Sequence, residues 1–224
     1  MQIVAIRPEP GLATTIGAAR ELGIEVTGYP VSRIAPLDWT LPELAGIDAL
    51  LIGGANALRY GGPQLRHLRH LPVLAVGKAT AQVAESQGFS VEKVGEGGLQ
   101  HVVDSLGTQP RHLLRLAGEA HVPLTPTANI TIATEIVYRV EHLPLPQALQ
   151  ENLAAQCLVL LHSAGSAMHF ACECDRLGLD RARISLAALG PRILAAAGEG
   201  WRMAKSAHRP DEAALLALTK DMCH

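Results

Sequence analysis

Short apolar runs alternate along the chain with longer segments in which apolar residues recur at helical spacing. The clearest example begins at residues 73–76, where a wholly apolar run predicts a buried strand. Gly77 then permits a tight turn, and residues 79–87 are mostly good helix formers that end before Gly88. This stretch therefore predicts a strand, a turn and a helix in succession.

The same alternation predicts strands and helices in the rest of the chain. Predicted strands cover residues 2–6, 24–29, 47–52, 73–76, 90–94, 112–116, 131–140, 157–161, 184–189 and 201–205. Predicted helices cover residues 12–22, 58–67, 79–87, 99–106, 167–177, 193–197 and 211–218, and residues 147–155 are either helical or a loop. Elements in this order are typical of an α/β protein with doubly wound parallel sheets.

Two parts of the pattern repeat each other. Ala75-Val76-Gly77 and its alanine-rich helix are matched by Ala188-Leu189-Gly190 and a second alanine-rich helix. Upstream, the strand and turn at residues 50–57 are matched by residues 159–167. Two similar lobes are the simplest explanation, with one lobe boundary near residues 30–36 and a second crossing near the long strand 131–140.

One segment does not continue the alternation. A helix is due within residues 121–130, but Pro123 and Pro126 both lie there. Because proline removes a backbone donor and clashes with the preceding turn, the segment can hold at most a short or distorted helix.

Composition narrows the class of protein. The chain has 224 residues, 48% of them hydrophobic, 18% charged and 3% aromatic, with a formal net charge of −2. These values argue against disorder and against a nucleic-acid-binding surface. No apolar run approaches the length that spans a membrane, and the N-terminus enters a strand pattern without a signal-peptide layout, so we expect a cytoplasmic protein. The oligomeric state stays open, and a monomer is compatible with the sequence.

Several kinds of reactive site find no support. The four cysteines, at positions 157, 172, 174 and 223, lack the paired spacing of a structural zinc site, and we predict buried reduced thiols. The histidines form no HExxH pattern, so no metal is predicted. Neither a nucleotide-binding glycine pattern nor the nucleophile elbow of a hydrolase is present.

The remaining candidates are neutral or cationic donors at predicted strand ends. By default each is an ordinary loop residue, but together, on lobes that could face each other, they predict a cleft for a polyanion. Tyr138, in the long strand, is either a proton donor that reaches this cleft or a half-buried tyrosine that only packs. The donors are Arg7, Asn56, Lys78, Thr80, Ser163, Ser166 and Arg192, beside turns at Gly77, Gly118 and Gly190.

These motifs, in their order and spacing, resemble the uroporphyrinogen-III synthase family over nearly the whole chain. The residues that carry the resemblance are Arg7-Pro8, Gly53-Gly54-Ala55-Asn56-Ala57, Val76-Gly77-Lys78-Ala79-Thr80-Ala81, Leu116-Ala117-Gly118, Val137-Tyr138, His162-Ser163 with Ser166-Ala167, and Leu189-Gly190-Pro191.

The resemblance implies two α/β lobes with doubly wound parallel sheets, joined by a two-stranded extended linker. Residues 1–32 together with 143–224 would form the first lobe, and residues 33–142, including the linker strands, the second. It also implies a cofactor-free reaction on hydroxymethylbilane, a linear tetrapyrrole with several carboxylates. Loss of the hydroxyl gives an electrophilic methylene, and the last pyrrole ring is inverted through a spiro intermediate before the macrocycle closes.

Residue roles follow from the same resemblance. Tyr138 matches the family tyrosine thought to assist departure of the hydroxyl, and Thr80 and Ser163 match side chains of the cleft. Backbone N–H groups near Gly77, Gly118 and Gly190 would bind substrate carboxylates.

The chain also departs from the family pattern at three places. Gly53-Gly54 stands where the family usually has Thr-Ser, Ile193 replaces a threonine, and Pro123 and Pro126 disturb a helix. A lyase that cyclises hydroxymethylbilane is therefore the first hypothesis. The alternative is a divergent two-lobed tetrapyrrole-binding or regulatory module without turnover.

Overall fold

The computed structural model describes residues 1–223 and separates into two compact units. The first unit consists of Met1–Arg33 together with the chain from Glu141 onward, and the second consists of Ile34–Val140. Both unit boundaries fall inside strands. No helix within residues 1–223 has the length and apolar character needed to cross a membrane.

Strands and helices alternate through both units. The strands are β1 (Gln2–Ala5), β2 (Thr27–Gly28), β3 (Ser32–Pro36), β4 (Ala49–Ile52), β5 (Val73–Val76), β6 (Val91–Gly95), β7 (Arg111–Gly118), β8 (Ile130–His142), β9 (Cys157–Leu161), β10 (Ile184–Ala188) and β11 (Met203–Ser206). The α-helices are α1 (Gly11–Glu21), α2 (Asn56–Tyr60), α3 (Lys78–Ser86), α4 (Leu99–Asp104), α5 (Gln147–Ala154), α6 (Ala164–Arg176), α7 (Pro191–Ala196) and α8 (Glu212–Cys223). Two 3₁₀ helices, Pro63–Leu68 and Arg181–Arg183, complete the set in the described residues.

Each unit is built on one sheet. The first unit has the strand order β11-β10-β9-β1-β2, in which every neighbouring pair is parallel. The second unit has the order β3-β8-β7-β4-β5-β6, and the pairs from β8 to β6 are parallel. The predicted α/β class with parallel sheets is confirmed.

The two sheets have the same strand order when the strands of each unit are numbered from its repeated segment. Counted from β4, the strands of the second unit lie in the order third, second, first, fourth, fifth, with β3 added at the edge. Counted from β9 and continuing through β1 and β2, the first unit has the same order. The sequence match of β5 with β10, and of β4 with β9, therefore pairs equivalent strands of two similar units.

Alternate residues of the central strands pack on opposite faces of each sheet. Along β4, Leu50 and Ile52 lie in one buried cluster and Ala49 and Leu51 in another. Along β9, the odd-numbered and even-numbered residues divide in the same way. Strands that are buried on both faces need continuous apolar runs, which is why these runs stand out in the sequence.

Some predicted elements differ from the structure. The predicted helix at residues 58–67 is wrong, because α2 ends at Tyr60 and a separate 3₁₀ helix begins at Pro63. Gly62 has a φ of +72°, outside the helical region, and Pro63 has no N–H to continue the ladder. Only Thr27–Gly28 of the predicted strand 24–29 pairs in a sheet. Residues 121–129 contain no helix, as the two prolines in that segment suggested.

Candidate functional site

The second unit brings several predicted site residues to one edge of its sheet. Parallel strands present their carboxyl ends at the same edge, and β4, β5 and β7 are adjacent there. Asn56 follows β4, Gly77, Lys78 and Thr80 follow β5, and Gly118 ends β7. Ligand sites of open α/β sheets form at this edge.

Tyr138 and Gly118 are packed against each other at the edge. They are register partners of β8 and β7, and a methyl group built on Gly118 would lie 2.6 Å from Cζ of the tyrosine and 2.9 Å from its hydroxyl. The backbone N–H of Glu119 donates to the carbonyl of Tyr138 at 2.9 Å. Only glycine leaves room for the ring in this position.

An irregularity in the strand pairing directs Tyr138. Ala117 is paired with Ile136, but Gly118 is paired with Tyr138, so the register shifts by one residue and Val137 has no counterpart on β7. Val137 and Tyr138 consequently both pack against the same apolar cluster, although neighbours on a regular strand point to opposite faces. Bulges of this kind re-aim side chains and recur beside active sites.

The Tyr138 phenol remains protonated at neutral pH. Burial raises the pKa of Tyr138, and the nearby positive charge of Arg115 offsets only part of that rise. The phenol oxygen makes no hydrogen bond to any of residues 1–223. A half-buried neutral phenol with an unused O–H can donate a proton or a hydrogen bond to a ligand.

Arg115 is a charged residue in the middle of β7 that the sequence analysis did not select. It is only 6% exposed and is paired in register with Leu51 of β4 and Thr134 of β8. Its Nε is buried and has no hydrogen-bond partner in the described chain. Burial lowers the pKa of Arg115, and Tyr138 acts in the opposite direction. The run Leu113-Leu114-Arg115-Leu116 carried the signal, since a cation interrupts a strand predicted to be buried.

The start of α3 provides backbone and side-chain donors. Gly77 has a φ of +77° and precedes the helix, and its carbonyl accepts from the N–H groups of Thr80 and Ala81. The N–H of Gly77 itself donates to Gly95 at 2.9 Å, so Lys78 and Ala79 supply the unused N–H groups at the helix start. Thr80 is 5% exposed. Lys78 is exposed at the first position of the helix.

The residues around Asn56 explain one half of the Gly53-Gly54 departure from the family pattern. Asn56 begins α2, and its side-chain oxygen accepts from Arg59 at 3.4 Å. A methyl group on Gly53 would lie 2.8 Å from Cδ1 of Leu99, so the leucine occupies the space a larger residue would need. Gly54 has open space around its Cα.

In the first unit, Ser163 and Ser166 form the start of α6. Ser163 is the N-cap residue: its Oγ accepts from the N–H of Ser166 at 3.2 Å and donates to the Ser166 hydroxyl at 2.9 Å. Serine is a preferred residue at this position because its hydroxyl satisfies a free N–H of the first turn. Ser166 is 4% exposed.

Gly190 and Arg192 lie at the start of α7, after β10. Gly190 is the extended residue before the helix, and Arg192 is exposed at its second position. Ile193, which replaces a family threonine, packs against the apolar cluster of the first unit. The substitution therefore exchanges a polar group for core contact.

Arg7 belongs to a polar network in the first unit. Glu212, at the start of α8, accepts from Arg7 at 3.1 Å, from Thr15 at 2.7 Å and from His162 at 3.2 Å. Burial acts to raise the pKa of Glu212, but these hydrogen bonds and the Arg7 charge outweigh it and hold the pKa below its usual value. Burial lowers the pKa of His162. The network joins residues far apart in sequence, so no local pattern predicted it.

In the described part of the chain, the predicted site residues belong neither to a metal-binding cluster nor to a surface depression near β1. Within residues 1–223, no group of three His, Cys, Asp or Glu side chains is placed to hold a metal ion. A surface depression of about 460 Å³ lies at the start of β1 and is lined by residues such as Ile3, Leu22 and Lys220. It contains none of the predicted site residues.

The fold defines a class of two-unit α/β proteins whose units carry equivalent parallel sheets, and solved structures share this fold. A uroporphyrinogen-III synthetase from Helicobacter pylori 26695 superimposes with a TM-score of 0.65 at 15% sequence identity, covering 99% of both chains. A mutant uroporphyrinogen III synthase from the extremely thermophilic bacterium Thermus thermophilus has a TM-score of 0.56 at 17% identity, covering 100% of this chain and 99% of that one.

Sequence comparison identifies the family. The family model described as uroporphyrinogen-III synthase HemD matches residues 13–217. The uroporphyrinogen-III synthase of Chlorobaculum parvum is 24% identical over 99 residues, and the match spans 40% of this chain and 40% of that relative. Because the family model covers nearly the whole chain, the protein belongs to the uroporphyrinogen-III synthase family.

Proposed function

We propose that the protein is a uroporphyrinogen-III synthase, a hydro-lyase of tetrapyrrole biosynthesis. Its substrate would be hydroxymethylbilane, which loses water as the last pyrrole ring is inverted and the macrocycle closes. Membership of the family supports this activity. The contact between Tyr138 and Gly118 is the observation within the molecule that supports it most strongly, because it fixes a neutral phenol at the ligand-binding edge of a sheet.

Tyr138 would act as the proton donor to the departing hydroxyl. Hydroxide is a poor leaving group, and a positioned acid that gives it a proton accelerates such a step by about 10²–10⁴-fold. Because its pKa is raised, the Tyr138 phenol keeps its proton at neutral pH and can transfer it to the departing hydroxyl. No cofactor enters this scheme, since the chemistry requires an acid and control of conformation.

Both units would contribute donors to the substrate carboxylates. In the second unit, the N–H groups at the start of α3, the Lys78 ammonium and the Thr80 hydroxyl are suited to carboxylate binding, together with Asn56 and the backbone at Gly118. In the first unit, Ser163, Ser166, Gly190 and Arg192 would serve the same purpose, and Arg7 would do so while paired with Glu212. We further propose that the enzyme acts in the cytoplasm.

The packing of Gly53 and Ile193 bears on the alternative of a binding module without turnover. Both positions lack a family hydroxyl: the Leu99 side chain occupies the space beside Gly53, and Ile193 packs against the apolar cluster of its own unit. Such packing gives these two changes a local structural reason, and Tyr138, Thr80 and Ser163 of the family pattern are retained. We therefore favour the enzyme.

The test is an isomer assay with freshly generated hydroxymethylbilane. The product is oxidised and the type I and type III uroporphyrins are separated by chromatography. We expect type III as the main product, formed faster than the spontaneous type I isomer. Type I alone, at the rate seen without protein, would refute the enzyme and favour the binding module.

A further inference from the structure

The imidazole of His121 is anchored to the carboxyl end of β7. Its Nδ1 lies 2.8 Å from the carbonyl oxygen of Gly118, the last residue of the strand, and 3.2 Å from that of Glu119. Its backbone N–H also donates to the Glu119 carbonyl at 3.2 Å. These contacts hold the ring in one position at the edge of the sheet, although the residue is exposed.

The direction of one carbonyl places the ring within the candidate site. In a planar trans peptide, the C=O group and the N–H group that follows it point to opposite sides of the strand. The N–H of Glu119 donates to Tyr138 on β8, so the carbonyl of Gly118 points away from β8, to the side of β4. The imidazole that donates to this carbonyl therefore lies between Tyr138 and the turns that follow β4 and β5.

The same hydrogen bonds determine which nitrogen of His121 carries the proton. Carbonyl oxygens can only accept, so Nδ1 must be the donor, and in the neutral imidazole Nε2 keeps an unprotonated lone pair. Within residues 1–223, no group donates a hydrogen bond to this Nε2. A histidine that is anchored through one nitrogen in this way is arranged to accept a proton through the other.

The proposed reaction also requires a proton acceptor. Inversion of the last pyrrole ring means that the macrocycle closes at the carbon of that ring which carried only hydrogen. The new bond to the methylene leaves this carbon with its hydrogen and the ring with a positive charge. Loss of the proton returns the C–H electron pair to the ring and restores the aromatic pyrrole. The water that is released thus consists of the hydroxyl and, in net terms, this hydrogen.

We propose that His121 is a second catalytic residue, whose Nε2 removes the proton from the ring carbon at which the macrocycle closes. This inference rests on the proposed function. As the N–H bond forms, the C–H bond breaks and its electron pair goes to the pyrrole ring. Tyr138 has already given its proton to the departing hydroxyl. The imidazolium returns a proton through solvent to the Tyr138 phenolate, so both residues regain their starting states.

The test compares His121→Ala and His121→Gln with the control His70→Ala. Glutamine can still donate to the Gly118 carbonyl but cannot act as a base, and His70 is an exposed histidine before the start of β5, at the opposite edge of the sheet. We expect both His121 variants to keep the wild-type Tm and KM and to lower kcat for type III formation about 10²-fold. Imidazole in the buffer should restore part of kcat in His121→Ala. His70→Ala should behave as the wild type.

An isotope effect identifies the step that His121 assists. With hydroxymethylbilane deuterated at the closing carbon, the isotope effect on kcat should be larger in His121→Ala than in the wild type, because removal of the proton has become slower. A lower kcat with neither rescue by imidazole nor a larger isotope effect would overturn the inference and leave proton removal to the Tyr138 phenolate.

The remaining outcomes separate this inference from the proposed function. If the wild type forms type III product and both His121 variants keep its kcat, the inference is wrong and the function stands. Wild-type kcat in His121→Gln alone would overturn the inference by making the hydrogen bond to Gly118 the only role of the residue. A wild type that forms only the type I isomer would overturn the inference together with the function.

Discussion

The ring of Tyr138 occupies the space where a side chain on Gly118 would begin. A Cβ atom at that glycine would lie 2.6 and 2.7 Å from two ring carbons, closer than van der Waals contact allows. The register shift between Ala117 and Gly118 turns Tyr138 toward this gap. The glycine and the bulge therefore act together to fix one orientation of the phenol.

Replacement of Gly118 by alanine should displace the Tyr138 ring. The added methyl group would lie 2.6 to 2.9 Å from two ring carbons and the phenol oxygen, so the ring must move to make room for it. Because a displaced acid transfers its proton poorly, we expect kcat for uroporphyrinogen-III formation to fall about 10²-fold. Steady-state kinetics would measure the loss.

Gly17→Ala is the matched control for this variant. Gly17 is exposed within α1, and a methyl group there would meet nothing within 4 Å. We expect unchanged kcat and slightly higher stability, because alanine favours the helix. Wild-type kcat in Gly118→Ala would show that the orientation of Tyr138 is unimportant.

The ionised Glu173 carboxylate should stabilise the first unit at neutral pH and lose this effect as the pH becomes acidic. Hydrogen bonds from Arg176 at 2.6 and 2.8 Å lower the pKa of Glu173 to about 2 despite its burial, with a further bond from the N–H of Leu145. Since this pKa is lowered from a usual value of 4.5, the contribution is complete above pH 4.5 and is lost as pH falls toward 2. We expect Glu173→Gln to reduce the free energy of unfolding by about 1 kcal/mol at pH 7.

Urea unfolding at pH 7 and pH 3 would check this dependence. The difference between wild type and Glu173→Gln should shrink at the lower pH. Glu151→Gln, which changes an exposed carboxylate on α5, should have little effect at either pH. A difference that is equal at both pH values would assign the effect to packing rather than to charge.

The cysteines should divide into two reactivity classes. Cys157 and Cys174 are buried, and burial raises the pKa of each thiol to about 12. Cys172 and Cys223 are exposed, so the prediction of buried thiols is wrong for these two. With Ellman's reagent at pH 8 we expect Cys172 and Cys223 to react in the native protein, Cys223 more slowly because partial burial raises its pKa, and the other two thiols to react only after unfolding. Fast reaction of all four in the native protein would contradict the burial of Cys157 and Cys174.

The fold could be predicted from sequence where single elements carry their own signal. Residues 73–76 and 157–161 are apolar runs bounded by turn residues, and both predicted strands coincide with β5 and β9. The repeat at Gly77 and Gly190 identified equivalent positions of two units. The helix prediction failed where glycine and proline stand together, at Gly62 and Pro63.

The site could be predicted only in part, because its chemistry depends on contacts between distant residues. The pattern marked Tyr138 and Gly118 separately, but the bulge that brings them together depends on the pairing of β7 with β8. Arg7 was selected as a free donor, yet it pairs with Glu212 near the other end of the chain. Arg115 was overlooked because a strand pattern shows which residues are buried but not whether a buried charge has a partner.

Substitution of Tyr138 by phenylalanine tests the central claim most directly. The variant removes the phenol oxygen and keeps the ring against Gly118, so its Tm should remain close to that of the wild type. The measurement is the rate of type III uroporphyrinogen formation from hydroxymethylbilane, with both isomers quantified. We expect the type III rate to fall about 10²-fold or more and the spontaneous type I isomer to predominate. An unchanged rate of type III formation would contradict the role of Tyr138 as the proton donor.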